Sequence, residues 1–503
     1  MARKRASGGR GRRTWTPRVE DYTQVLVEQN PWHRDGEVPA ALAPPVERRL
    51  APLLAKSLQA ADPWRFQLVM GPRRVGKTTC LNQAVRGLLR AGVRPARVWW
   101  LRLDHPLLLQ FDLGALLSVV RDVDPDPSEP AFVFLDELTY ARDWDLWLKT
   151  FHDERWPFRL AGSSSATAAL GDRRLESGVG RWEEQYLAPY LFGEFLDLLG
   201  RDVPLRVEAT LAETLAAALD ERPDLARLAP LRTAFMLTGG FPELLTPFAG
   251  GDVDPAADLE SLLLRSQRTL RGDAVERAVY KDIPQAFGID DPMLLERLLY
   301  TLAGQVTGLV SPQRMRQELD GLSQPTFDRY LSYLERAFLV FTLPNYSGRE
   351  GAVQRRGRRV YFVDGAVRNA ALQRGVRPLT DTEEMGLLYE NLAASHLHAL
   401  ARQTQARLHH WREGQHEVDL VYDESDQPLA FEIASSGSHS RAGLLRFLER
   451  FPQFEGRAYL VSPDAPPLSP GTAAGRIGTL PLDLLLLAAS RQADRALALR
   501  LGG

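Results

Sequence analysis

The sequence predicts an α/β protein that begins with a parallel β-sheet and continues into a helical segment, a small helix-rich module and a second α/β unit. Two observations lead to this class. Strand-like apolar runs alternate with helical patterns, which is typical of a parallel sheet covered by helices on both faces; the runs are 66–70, 98–103, 132–135 and 159–161. With 503 residues and 44% hydrophobic content, the chain has room for about three domains that each bury a core.

Changes in composition and periodicity mark the domain boundaries. We expect a basic disordered arm at 1–30, a parallel-sheet core at 31–200, a helical lid at 201–290, a winged helix-turn-helix at 291–345, a second α/β domain at 346–490 and a tail at 491–503. In the arm, basic residues precede the first acid, Glu20, with Gly and Ser between them. Such an arm either adds nonspecific phosphate contacts or serves only solubility.

A glycine-rich segment follows the first apolar run directly. Residues 71–79 read Gly-Pro-Arg-Arg-Val-Gly-Lys-Thr-Thr, which matches the phosphate-binding pattern G-x-x-x-x-G-K-[ST], and a helical pattern follows. The glycines let backbone amides turn inward around phosphates, and the helix amino-terminus adds partial positive charge. Lys77 is expected to reach the β and γ phosphates of ATP, and the Thr78 hydroxyl to ligate Mg²⁺. The candidate phosphate-binding residues are Gly71, Arg74, Gly76, Lys77, Thr78 and Thr79.

Two adjacent acids follow another buried run. Residues 131–135 are all apolar and end in Asp136 and Glu137. A carboxylate at the end of such a strand can hold Mg²⁺ opposite the Thr78 hydroxyl. Glu137 is expected to polarise a water for in-line attack on the γ-phosphate. The second acid therefore favours ATP hydrolysis over simple binding.

Two further side chains are candidates for the same site. Ser163 follows the 159–161 run, where its hydroxyl would contact the γ-phosphate or the attacking water, although serine clusters are also common in plain turns. Arg181 is a candidate arginine finger. If Arg181 acts on a neighbouring subunit, assembly of an oligomer becomes part of catalysis.

Residues 292–345 have the pattern of a winged helix-turn-helix. Periodic segments at 293–302 and 312–319 precede a turn, after which Ser323 is expected to cap a third helix that runs through Ala337, with a strand at 338–341. Polar residues of this helix would enter the major groove if the module reads DNA, namely Gln324, Thr326, Arg329 and Ser332. This helix has one basic residue near its tip, whereas binding through DNA phosphates favours several. The alternative is therefore that the module only packs against the core.

Together these motifs resemble a group of bacterial and archaeal AAA-type ATPases that carry a carboxy-terminal domain of uncharacterised function. The resemblance spans about residues 40–490 and includes the phosphate loop, Phe-Leu-Asp-Glu at 134–137, Ala-Gly-Ser-Ser-Ser at 161–165, Gly-Arg-Trp at 180–182, Tyr-Lys-Asp at 280–282 and Trp-Arg-Glu-Gly at 411–414. It implies a P-loop ATPase core with a winged helix and a restriction-endonuclease-like tail domain.

The tail domain departs from the pattern that this resemblance implies. A metal-dependent nuclease of that type would hold Mg²⁺ with Asp419 and Glu432, and Glu390 would complete the acidic set. It would also place a lysine two residues after the glutamate, where this chain has Ala434. Because a cation is missing there, we expect a degenerate nuclease-like domain kept for DNA or protein binding.

Composition narrows the remaining choices. The single Cys80 excludes an internal disulfide and fits a reducing cytoplasm. No apolar stretch reaches the length of about eighteen residues that a membrane span needs. The formal net charge of −2 gives no global attraction to nucleic acid. We expect a cytoplasmic ATPase that acts as a switch on DNA; the alternatives are an ATP-gated nuclease and a signalling switch that recruits a protein partner.

Overall fold

The computed structural model describes residues 19–60, 65–123, 129–165, 180–249, 257–289, 291–319, 322–348, 354–424, 426–435, 439–465 and 476–502. Most of the predicted basic arm lies outside these residues. Its last part is not disordered, because Val19–Gln29 is a helix that buries Tyr22 and Leu26 in one core of the first sheet. No helix of the described residues is long and apolar enough to cross a membrane.

Five parallel strands form the first sheet, in the order β2-β3-β4-β1-β5. They are β1 Phe66–Met70, β2 Val98–Arg102, β3 Ala131–Asp136, β4 Phe158–Ser164 and β5 Trp182–Tyr186. The four apolar runs expected from the sequence are β1 to β4, which confirms the α/β class with a parallel sheet. The sequence did not predict β5, because Trp-Glu-Glu-Gln-Tyr belongs to an edge strand that is only partly buried.

Helices cover both faces of this sheet. One face carries Val19–Gln29, Leu113–Val123 and Trp144–Asp153, and the other carries Leu50–Gln59 and Lys77–Arg90. A short helix, Trp32–Asp35, lies in the chain between Val19–Gln29 and Leu50–Gln59, which cover opposite faces of the sheet. Because successive side chains of a strand point to opposite faces, Leu68 lies in one core while Val69 lies in the other.

After the helix Phe192–Leu198, the segment predicted as a lid at 201–290 is helical, with helices at Leu211–Glu221, Leu228–Thr238, Pro242–Ala249 and Leu259–Leu270. Many of its apolar side chains pack against the carboxy-terminal part of the chain, and its role as a lid stays a prediction. Leu215 and Phe235 are buried in a core shared with Phe431 and Leu485 of the carboxy-terminal part, because the Leu- and Ala-rich faces find their apolar partners there. Part of the segment does reach the phosphate loop: a Cβ added at Gly76 would lie 3.3 Å from the ring of Pro242, and Glu243, Asp273 and Asp282 contact arginines of the loop.

The chain then runs through two π-helical stretches, Arg271–Glu276 and Ala278–Asp282, into the helix Ile283–Phe287. π-Helices, which have i→i+5 hydrogen bonds, are rare in proteins, and those that occur often lie at functional sites. Three helices follow, Pro292–Gly304, Pro312–Glu318 and Gln324–Arg336.

The last of these helices begins as the sequence predicts. The Ser323 hydroxyl accepts a hydrogen bond from the Thr326 amide at 3.2 Å, which makes it the cap. The following strand starts at Val340 rather than at 338, since Phe338 has a φ of 56° that does not fit an extended strand. The assignment of this module as a winged helix stays a prediction.

A second, mixed sheet of eight strands has the order β13-β12-β11-β10-β9-β7-β8-β6. Its strands are β6 Leu309–Val310, β7 Val340–Asn345, β8 Gln354–Phe362, β9 Arg407–Glu413, β10 His416–Asp423, β11 Leu429–Ile433, β12 Ala458–Ser462 and β13 Gly478–Pro481. β10 and β11 form an antiparallel pair in which Leu420 lies opposite Phe431. The residue pair Asn345 and His410 joins β7 to β9, and the amide of Arg412 donates to Asn345 Oδ1 beside it at 2.8 Å.

Five helices accompany this sheet: Gly365–Leu372, Arg377–Thr380, Thr382–Gln403, Ala442–Arg450 and Leu482–Arg500. The last one corrects the predicted tail at 491–503. The helix continues without a break past residue 491, because Ala493 and Leu497 are buried against the rest of the protein.

Candidate active site

The topology of the first sheet brings the predicted nucleotide residues together. All five strands are parallel, so their carboxyl ends lie at one edge, where such sheets bind ligands. The phosphate loop follows β1, Asp136 ends β3 and Ser163 lies near the end of β4. Because β4 lies between β1 and β3, the serine hydroxyl is positioned between the loop and the two acids.

Lys77 lies inside the phosphate loop. Its Nζ donates to the carbonyl oxygens of Gly71 at 2.9 Å and Pro72 at 2.7 Å. The side chain is 7% exposed, and this burial lowers the pKa of its ammonium to about 8, although the Glu137 carboxylate acts in the opposite direction. The loop therefore already holds a cation where the phosphate-binding pattern requires one.

Asp136 is the centre of a hydrogen-bond network. Its carboxylate accepts from the Thr78 hydroxyl at 3.0 Å and from the Ser163 hydroxyl at 2.6 Å. Burial raises the pKa of Asp136, and the two hydroxyl hydrogen bonds oppose that change. A hydroxyl and a carboxylate from two elements offer the oxygen ligands that Mg²⁺ prefers, so the donor set fits this cation.

Glu137 is held in an uncommon backbone conformation beside this network. Its φ is 57°, in the left-handed region, and its amide donates to the Ser163 hydroxyl at 3.0 Å. Burial raises the pKa of its carboxyl group. The Oε2 atom is buried and has no hydrogen-bond partner among the described residues. Strained backbone and an unsatisfied buried acceptor are both typical of catalytic positions.

Both arginines of the phosphate loop contact acids from the segment that was predicted as a lid. Arg73 donates through Nη2 to Asp282 Oδ1 at 2.6 Å and through Nε to the other carboxylate oxygen. Arg74, which was expected to bind phosphate, lies 3.0 Å from Asp273 and 3.5 Å from Glu243. The sequence gave no role to Arg73 or Asp282; the only signal was the place of Asp282 in the Tyr-Lys-Asp motif.

Arg181 lies at the opposite edge of the sheet from the phosphate loop. Its carbonyl accepts a hydrogen bond from the amide of Phe66, the first residue of β1, whereas the loop follows the last residue of β1. A strand rises about 3.3 Å per residue, so the two ends of β1 are about 13 Å apart. The guanidinium bonds Asp153 at 2.8 Å. Arg181 as an arginine finger for its own chain is therefore wrong, and its action on a neighbouring subunit stays a prediction.

The three acids expected in the tail domain do lie together, with a fourth, and we call Glu390, Glu417, Asp419 and Glu432 the acidic centre. The sequence did not reveal that Arg359 of β8 enters this centre. Its guanidinium lies 2.7 Å from Asp419, 2.8 Å from Glu417 and 3.2 Å from Glu390. Burial raises the pKa of Glu390 to about 8 and that of Glu432 to about 10, and the Asp419 carboxylate adds to both shifts.

Three family models match separate parts of the chain. An AAA domain matches residues 64–196, a domain of unknown function called DUF8612 matches 231–377, and another called DUF4143 matches 385–469. The chain therefore contains a P-loop ATPase domain of the AAA type and a carboxy-terminal DUF4143 domain.

Several curated proteins are similar over most of their length. An uncharacterized protein of Haemophilus influenzae is 22% identical over 63% of this chain and 72% of that protein. Two uncharacterized proteins of Methanocaldococcus jannaschii are 25% and 21% identical; the matches cover 67% and 73% of this chain and 68% and 74% of the relatives.

Two solved structures also match. One is a Walker-type ATPase of Pyrococcus abyssi, with a TM-score of 0.40 and 14% identity; the match covers 67% of this chain and 97% of that chain. The other is the ORC1 protein of Aeropyrum pernix in complex with DNA, with a TM-score of 0.28 and 17% identity; the match covers 66% of this chain and 92% of that chain. At these TM-scores we draw nothing further from either likeness.

Proposed function

We propose that this protein binds ATP with Mg²⁺ and hydrolyses it at the carboxyl edge of the parallel sheet. The observation that carries this proposal is the Asp136 network, in which one carboxylate joins the Thr78 hydroxyl to Ser163 while the neighbouring Glu137 keeps a free buried oxygen. Simple nucleotide binding needs the phosphate loop and the cation ligands. It does not need a second acid held with an unsatisfied acceptor beside them.

Each side chain has a distinct part in this proposal. Lys77 would transfer its ammonium from the loop carbonyls to the phosphates. Thr78 and Asp136 would hold Mg²⁺, which when bound supplies charge neutralisation at the β and γ phosphates. Glu137 would accept a proton from a water molecule while the oxygen of that water forms a bond to the γ-phosphorus. The bond between the γ-phosphorus and the bridging oxygen then breaks, which yields ADP and phosphate. The raised pKa of Glu137 makes its carboxylate a better proton acceptor.

The pair formed by Arg73 and Asp282 suggests how the nucleotide would act on the rest of the protein. Phosphates bound in the loop would compete with Asp282 for the Arg73 guanidinium, because both are anions within its reach. Asp282 ends the second π-helical stretch, which leads into the three helices before β7. We propose that loss of the Arg73 contact is the first step by which ATP changes the position of these helices.

DNA is the partner that we propose for this switch. The helix Gln324–Arg336 exposes Gln324 and Arg329, two of the four residues expected to enter the major groove. The other two, Thr326 and Ser332, are partly buried. The tail domain would assist as a binding module rather than as a nuclease. Its acids are already paired with Arg359, which disfavours the alternative of ATP-gated cutting.

Steady-state ATP hydrolysis by wild type and Lys77→Ala, each with and without duplex DNA at low salt, tests this function. We expect wild-type turnover that DNA stimulates and no turnover in the variant. Wild-type protein that fails to hydrolyse ATP would contradict the enzymatic part. Turnover that ignores DNA at every salt concentration would refute the DNA part and leave a protein partner as the object of the switch.

The affinity for ATP is expected to fall as the pH rises above about 8. The pKa of Lys77 is about 8 in the nucleotide-free site, and bound phosphates raise it because they favour the charged ammonium. Below this pKa the amine is charged in both states and the affinity is constant; above it, binding requires proton uptake, so by pH 9 the affinity drops about tenfold. Calorimetric titrations with ATP at pH 7, 8 and 9 measure this. A Lys77→Arg control, which stays charged, should lack the drop, and a flat wild-type profile would contradict the assignment.

A further inference from the structure

The acidic centre of the tail domain is closed by Arg359, which lies 60 positions before Asp419 in the same domain. Arg359 belongs to β8, which pairs with β6 and β7, whereas Glu390 lies on the helix Thr382–Gln403 and Asp419 on β10. The guanidinium is 5% exposed and contacts three carboxylates of the centre at once. Asp419 and most of Glu390 are buried with the guanidinium, whereas the Glu417 side chain is 43% exposed. Burying the cation with acids beside it avoids the cost of burying a charge alone.

The surroundings of Arg359 fix it in this position. Tyr361, two residues further along β8 and therefore on the same face, donates its hydroxyl hydrogen to Glu390 Oε1 at 2.8 Å. The amide of Ile433 donates to Asp419 Oδ2 at 2.9 Å, while the other oxygen of that carboxylate accepts from Arg359. The Asp419 carboxylate is therefore held from both sides, with Arg359 as the positive partner.

One acid of the centre keeps an unused acceptor. Glu432 is 7% exposed, and its Oε2 atom has no hydrogen-bond partner among the described residues. His439 approaches only its Oε1, at 3.2 Å, from the solvent side. A buried carboxylate oxygen without a hydrogen-bond partner, beside other buried acids, is typical of a site that takes a cation.

We propose that Arg359 is the resident cation of the acidic centre and holds the place that a divalent metal ion would otherwise take. Among the described residues, no group of three or more His, Cys, Asp or Glu side chains is arranged to hold a metal ion. This agrees with a guanidinium, which is larger than a metal ion and spaces the carboxylates apart. A guanidinium stays protonated and cannot activate a water, so the centre neutralises and cross-links instead of cutting.

The consequence is mechanical. Arg359 links β8 to the helix Thr382–Gln403 and to β10. This inference does not depend on ATP hydrolysis, and its test therefore uses nucleotide-free protein.

Titration of Mn²⁺ into the full chain, followed by electron paramagnetic resonance, distinguishes a closed centre from an open one. Wild type should bind no Mn²⁺ at the acidic centre, whereas Arg359→Met should gain one site that is lost again in Arg359→Met combined with Asp419→Asn. The variant should also unfold at a lower temperature than wild type, and Mn²⁺ should recover most of that loss because it binds only the folded state. Potassium chloride at equal ionic strength should not raise the melting temperature of the variant in this way.

Arg412→Met is the matched control, because Arg412 approaches Glu417 from the exposed side at 3.9 Å. It should neither gain a Mn²⁺ site nor lose stability. If Arg359→Met does not fold, Arg359→Lys retains a positive charge with fewer donors and should gain a weaker Mn²⁺ site. A wild-type Mn²⁺ site that Asp419→Asn removes would overturn the proposal, as would folded Met and Lys variants that bind no Mn²⁺.

Discussion

Replacing Glu137 with glutamine is expected to slow ATP hydrolysis by about 10²–10⁴-fold and to leave ATP binding intact. Glutamine retains the shape of the side chain and cannot accept the proton of the attacking water. The phosphate contacts come from other residues, Lys77 and Thr78, so the affinity for ATP should change little. Single-turnover hydrolysis and equilibrium binding of ATP, measured on the same preparation, separate the two effects.

The stability of this variant provides an independent check. Burial raises the pKa of Glu137, so its folded state prefers the neutral form, and at pH 7 the charged carboxylate costs free energy. Glutamine removes this cost, and the melting temperature should not fall. Glu260→Gln, at an exposed site on the helix Leu259–Leu270, is the control and should alter neither turnover nor melting. Turnover of Glu137→Gln close to the wild-type value would show that another group takes the proton.

The second large effect is expected from Asp282→Ala. This change leaves the Arg73 guanidinium without its partner in a site where it is only 15% exposed, and truncation of one member of such a pair costs about 2–5 kcal/mol of folding free energy. The affinity for ATP should rise in the same variant, because the phosphates no longer compete with a carboxylate for Arg73. Urea unfolding and ATP titration give the two numbers.

A loss of folding stability together with a gain in ATP affinity would show that Asp282 and the phosphates compete for Arg73. Asp328→Ala, on the exposed face of the helix Gln324–Arg336, is the matched control and should leave both quantities unchanged. Combining Asp282→Ala with Arg73→Met should recover part of the lost stability, since no unpaired cation remains. A loss of stability without a gain in ATP affinity would mean that the pair is structural and takes no part in phosphate binding.

The sequence is informative where the chemistry depends on neighbours along the chain. The phosphate loop, the strand that ends in Asp136 and the order of β1 to β4 all follow from local patterns, since a buried strand and a glycine turn are encoded in a few consecutive residues. The same holds for the Ser323 cap.

The sequence is uninformative where distant residues meet. Asp282 is 209 positions from Arg73, and Asp419 is 60 positions from Arg359. Arginine carries nearly all the positive charge of the chain, so no single arginine stands out as a ligand of a buried acid. Arg181 illustrates the same difficulty: because the sequence did not predict β5, only the structure shows that Arg181 lies beside the first residue of β1, at the end of the strand away from the phosphate loop.

The final helix, Leu482–Arg500, has a consequence for the order of synthesis. Leu497 and Leu501 belong to the same core as Val69 and Leu81 of the nucleotide domain, and the Arg500 guanidinium bonds the carbonyl of Glu184 in β5 at 3.0 Å. The ribosome therefore releases the five-stranded sheet about 300 residues before the pieces that finish its core, a delay of about 15–60 s at ordinary elongation rates. Until the helix Leu482–Arg500 emerges, the nascent nucleotide domain presents an incomplete apolar face, which is the kind of surface on which partly folded chains associate.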